Sequence, residues 1–62
     1  MILRPPRRAA EYFRQKDPNT AITEAFIRRL IREGDIPFIA SGAKQLIDVE
    51  QLEQMLSDRL RG

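Results

Sequence analysis

Three arginines fall within five residues of one another, in the stretch Thr23-Glu24-Ala25-Phe26-Ile27-Arg28-Arg29-Leu30-Ile31-Arg32-Glu33-Gly34. If this stretch is helical, a 100° turn per residue puts Arg28, Arg29 and Arg32 on one arc with Ala25. Ile27, Leu30 and Ile31 then lie on the opposite arc, and Phe26 sits at the border. A planar guanidinium donates in a fork that matches phosphate oxygens and the O6/N7 edge of guanine. Arg28, in the N-terminal half, is placed to reach a base edge, and Arg32 a phosphate. The competing reading of the same residues is a solvated helix face.

Other residues join this chemistry by position. Thr23 has the type and place of an N-cap, its hydroxyl accepting from an otherwise unpaired backbone N–H, with a base or phosphate contact as an additional role. Glu24, in the first turn, complements the helix dipole; turned toward a base, its carboxylate accepts from a cytosine amino group. Phe26 reads as a border core residue, with a thymine methyl as its alternative contact. Arg7 and Arg8 open an earlier helical stretch, either as solvent-facing charges or as a phosphate clamp; two cations there oppose the dipole and so suit an external anion. Lys44 stands beside Gly42, either as a solubilising loop tip or as a phosphate contact.

Composition narrows the function classes. The chain has 62 residues with no cysteine and no histidine. One small domain is therefore expected, over residues 1–62, with no disulfide and no Cys or His zinc ligands. Without histidine, the commonest general acid/base is missing, so no catalytic residues are expected and an enzyme is disfavoured. Glu50, Glu53 and Asp58 do not converge on one ion at their helical spacing, so neither metal nor cofactor is expected. The longest run free of charge, Ile36 to Ala43, is far short of the roughly 20 residues of a membrane span. With no apolar leader at the N-terminus, a soluble cytoplasmic protein with no membrane partner is the expectation.

Net charge is +2, and nine of the eleven cations are arginine. The charge is graded along the chain: +4 over residues 1–16, zero over 17–33 and −2 over 34–62. Such polarity turns one side of a small protein toward a polyanion.

The elements that must position these groups are legible in outline. Met1–Arg4 has the composition of a short strand or a frayed end. Pro5 and Pro6 suit the start of a helix, expected over Pro6–Gln15 with Ala9, Ala10 and Phe13 inward and Tyr12 beside them. Asp17-Pro18-Asn19 ends it as a turn. The second helix runs from the Thr23 cap to a stop at Gly34. Ile36–Ala40 and Lys44–Ile47 flank Ser41-Gly42-Ala43 as a hairpin, with Pro37 marking an edge. Asp48 caps a third helix, with Gln51 at capping-box spacing. Val49, Leu52, Leu56 and Leu60 form its buried seam, with Met55 alongside. The expected class is α+β: two N-terminal helices, a hairpin wing and a C-terminal helix, the order of a small winged helix-turn-helix.

Along that order the residues resemble the excisionase family, small winged-helix DNA-binding proteins related to the MerR-type DNA-binding head. The resemblance runs through Ala9-Ala10-Glu11-Tyr12-Phe13-Arg14, then Ile27-Arg28-Arg29-Leu30-Ile31-Arg32-Glu33-Gly34, then Ile36-Pro37. It continues through Ser41-Gly42-Ala43-Lys44 and Leu46-Ile47-Asp48 to Leu52 and Leu56, covering nearly the whole chain. It implies a recombination directionality factor of a mobile element, which binds and bends attachment-site DNA so that an integrase excises. Its partners would be double-stranded DNA, an integrase and further copies of itself, in the nucleoid-associated cytoplasm of a prokaryote. The recognition helix maps onto Thr23 to Glu33 and the wing onto Ser41, Gly42, Ala43 and Lys44, extending to Gln45. The chain departs from the family in two places: Lys44 is the wing's single cation, and the link Asp17 to Ile22 exceeds a tight turn. A small transcriptional regulator of the same fold, or an adaptor module without DNA binding, are the alternatives.

Overall fold

A computed structural model describes residues 1–61. Its elements are β1 (Leu3–Arg4), α1 (Pro6–Lys16), α2 (Glu24–Arg32), β2 (Ile39–Ser41), β3 (Lys44–Asp48) and α3 (Val49–Arg61). The three strands form an antiparallel sheet in the order β1-β3-β2. The fold is α+β, and the element order is compatible with a winged helix-turn-helix.

Local chemistry sets each boundary. Pro6 occupies the first turn of α1, where its missing N–H costs nothing. The helix ends one residue beyond the sequence expectation, at Lys16, where Asp17 N–H still donates to Phe13 O at 3.0 Å. The connection that follows is long but internally bonded. Asp17 Oδ1 accepts from Asn19 N–H at 3.0 Å, and Thr20 Oγ1 accepts from Ile22 N–H at 3.1 Å. Polar side chains thus supply the backbone partners that a regular element would otherwise provide.

Helix α2 stops by a Schellman motif. Asp35 N–H donates to Leu30 O at 2.9 Å and Gly34 N–H to Ile31 O at 3.1 Å, with Gly34 at φ +75°. Ile36 then drops into the core. Here the sequence expectation needs correcting: β2 begins at Ile39, not Ile36. Pro37 has no N–H to give a ladder, so pairing starts only beyond it. The hairpin link is also two residues rather than three. Ser41 pairs with Lys44, leaving Gly42 and Ala43 as the turn. Gly42 at φ +62°, followed by a residue without positive φ, is the type II′ pattern that matches strand twist.

At the β3–α3 junction, Asp48 Oδ1 accepts from Glu50 N–H at 3.1 Å, as a cap should. The same oxygen accepts from Ile2 N–H at 3.2 Å. Desolvation works to raise the Asp48 pKa, but backbone N–H groups of Ile2, Gln51 and Glu50 outweigh it and hold the carboxyl below its ordinary value. The expected reciprocal bond from the Gln51 side chain is not among the hydrogen bonds of the described residues. Beside the Asp48 cap, Val49 N–H, the first helical amide, donates to Ile2 O at 2.9 Å.

The core joins Ala9 and Phe13 of α1, Ile27, Leu30 and Ile31 of α2, Ile36, Ile47 of β3, and Val49 and Leu52 of α3. Among the described residues no polar side chain is buried with them. Tyr12 meets Phe13 edge-on at 5.3 Å, and Lys16 braces α1 to α3 through Glu53 Oε2 at 3.0 Å. The expected seam of α3 is too long: Met55 and Leu56 are half-buried, and Leu60 is 89% exposed. Leu60 borders an open surface groove with Ala21, Ile22, Phe26 and Leu56, which leaves it uncovered.

Candidate nucleic-acid interface

The cap of α2 fixes where its polar face begins. Thr23 Oγ1 accepts from Phe26 N–H at 3.2 Å, and Thr23 O accepts from Ile27 N–H at 3.0 Å. From that start, Ile27, Leu30 and Ile31 turn inward and are buried, while Ala25, Arg28, Arg29 and Arg32 are exposed. Phe26 lies half-buried at the border, as its helical angle requires, with the Arg29 guanidinium 5.6 Å from its ring centroid. Thr23, Ala25, Phe26 and the three arginines line one shallow, open concavity along the outside of α2.

The ridge is not three free cations. Arg28 Nε donates to Glu24 Oε2 at 2.9 Å, and Nη2 lies 2.9 Å from the same oxygen as an ion pair. Arg29 Nε lies 3.9 Å from Glu33 Oε1. Among the described residues Arg32 has no ion pair. Both paired arginine side chains are 57% exposed, and such i,i+4 pairs contribute only about 0.3–0.5 kcal/mol. They orient the guanidinium groups without tying them up, so a phosphate or a base edge can compete for them.

Helix α1 contributes a second basic edge. Arg7 and Arg14, two turns apart on one face, border a groove of about 400 Å³ that ends at Thr20, Thr23 and Glu24. Arg8 is exposed, one helical step round from that groove. The structure therefore groups Arg7 with Arg14 rather than with Arg8. Arg14 was missed as a site residue, although its i+7 spacing from Arg7 was the available signal. Glu11 also lines the groove, so its charge is mixed.

The wing is carried by β2 and β3. Ser41, Gly42, Ala43 and Lys44 are all exposed. Alternation along β3 puts Lys44 on the same side as Leu46, while Ile47 faces the helices. Lys44 is the wing's single cation, as the sequence has it.

No known protein family, curated protein or solved structure matches this chain. No helix among the described residues is long and apolar enough to cross a membrane.

Proposed function

We propose that this chain is a double-stranded DNA-binding domain of winged helix-turn-helix type. The observation that carries the reading is the division of α2, with three isoleucine and leucine side chains buried on one face and three arginines exposed on the other. In this arrangement α2 enters the major groove, with Arg28 toward a base edge and Arg29 and Arg32 toward the groove walls. Arg7, Arg8 and Arg14 of α1 follow the phosphate backbone, and Lys44 of the wing touches the neighbouring strand. A single module of this size buries about 600–1,000 Å² on DNA and binds weakly alone. Several copies on adjacent sites, or a protein partner, then supply the remaining affinity.

Within that class we propose an excisionase-like recombination directionality factor, acting on attachment-site DNA beside an integrase in the prokaryotic nucleoid. Its support is the residue resemblance from Ala9 through Leu56. A transcriptional regulator shares the same contacts and differs only in the site bound. The adaptor reading draws on a specific observation: Arg28 and Arg29 already have carboxylate partners, and the wing has one cation. Fluorescence anisotropy with a labelled duplex decides between DNA binding and an adaptor. Binding that weakens with salt, and further on replacing Arg28 and Arg32 with Ala, is the expected result. Duplex binding too weak to detect at low salt would overturn the proposal.

A further inference from the structure

The contact between Glu24 and Arg28 has a particular form. Arg28 presents five N–H donors in two usable forks, one along the side (Nε and Nη2) and one at the end (Nη1 and Nη2). Glu24 Oε2 occupies the side fork, at 2.9 Å from both nitrogens. Among the described residues no hydrogen bond from Nη1 is recorded, and the side chain is 57% exposed, so the end fork remains available to a ligand. Glu24 itself is held, because it sits one residue after the Thr23 cap, whose hydroxyl fixes the first turn on Phe26 N–H.

We infer that Glu24 is a positioning residue for base recognition: it holds the Arg28 side fork so that the end fork is aimed at the O6/N7 edge of a guanine. This rests on the DNA-binding reading and goes further, because it names the base and a residue that selects it through another. An unheld arginine at the same position swings among phosphates, which attract it everywhere and carry no sequence information. A carboxylate beside it repels those phosphates and lowers affinity for unselected DNA. In return it keeps the guanidinium in one orientation, at low entropy cost when the bidentate contact forms. Arg29 and Arg32 do not share this role. The Arg29 contact with Glu33 is a single long one at 3.9 Å, and Arg32 has no carboxylate partner among the described residues.

The test is selection from a randomised duplex library with the full chain, followed by affinity measurement on the selected and unselected pools. Wild type is expected to show one position with a guanine preference of roughly 5- to 100-fold, the range of a good bidentate pair. Arg28→Ala removes that preference. Glu24→Ala weakens it at the same position by roughly twofold, the worth of the exposed i,i+4 pair, while affinity for the unselected pool holds or rises. Glu24→Gln keeps the side-chain length and helix propensity but not the carboxylate, so it should weaken the guanine preference as Glu24→Ala does while the melting midpoint stays close to wild type. That separates positioning from mere support of the helix. If Glu24→Ala keeps the full preference, or loses it at a different base pair through a contact of its own, the inference is overturned while DNA binding stands. If wild type neither binds nor enriches any duplex, the DNA-binding reading fails and the inference with it.

Discussion

The sharpest quantitative consequence of the charge layout concerns salt. Arg7, Arg8, Arg14, Arg32 and Lys44, the cations assigned to phosphates in the proposed complex, are exposed and have no ion pair among the described residues, whereas Arg28 and Arg29 have carboxylate partners. With each of the five meeting one phosphate, log K should fall with log salt at a slope of about −4.5, from about 0.9 per contact. Raising monovalent salt from about 50 to about 200 mM then weakens binding roughly 500-fold. Arg32→Ala removes one contact, so the slope should relax to about −3.6 and the same salt step should cost roughly 150-fold. Glu33→Gln should act in the opposite sense. It removes the carboxylate charge that offsets Arg29 and steepens the slope to about −5.4, with tighter binding at low salt. Anisotropy titrations on one duplex at several salt concentrations read all three slopes. A wild-type slope near zero, or an Arg32→Ala line parallel to wild type, would refute the reasoning.

Thr23→Ala removes the oxygen that caps Phe26 N–H and should cost about 1 kcal/mol, lowering the melting midpoint by about 4–8 °C in a domain of this size. Circular-dichroism melts check it, and an unchanged midpoint would mean that the cap contributes nothing. Ile27 is fully buried, and Ile27→Ala should cost about 2–5 kcal/mol, enough to unfold a domain with so small a core; a cooperative melt close to wild type would contradict it. The Asp48 carboxyl is held below its ordinary value of 3.8, so its charged form stabilises the fold above that pH. The contribution is lost as pH falls through the lower, folded-state pKa. Acid titration followed by circular dichroism should therefore show a loss below about pH 4 that is smaller in Asp48→Asn.

The helices were legible because independent signals agreed at each one. For α2, the Thr23 cap, the 3.6-residue spacing of Ile27, Leu30 and Ile31, and the Gly34 stop all marked the same segment. Gly42 likewise located the hairpin. Strand β2 was drawn too early because β-prone residues surround Pro37, whose missing N–H matters only once the strand's partner is known. Leu60 was placed inside because periodicity reports a direction on a helix, not where the neighbouring layer ends. The candidate site was half legible. Helical angle puts Arg28, Arg29 and Arg32 outside, and the charge count already sets Glu24 and Glu33 against them; what a count does not carry is that i,i+4 spacing pairs those two with Arg28 and Arg29. Adjacency in sequence joins Arg7 to Arg8, but neighbours point 100° apart on a helix, and it is Arg14, at i+7, that shares the Arg7 face.

The interior of this domain is wholly hydrocarbon among the described residues, and that has a bearing on descent. Oily side chains of similar volume replace one another with little penalty, so lineages are free to exchange nearly every one of them. Positions 34 and 42 lack that freedom, because their backbone geometry burdens any residue with a β-carbon even where open space surrounds it. Ancestry in a protein built this way is best traced through its bends, whose spacing outlasts the identity of whatever fills the middle.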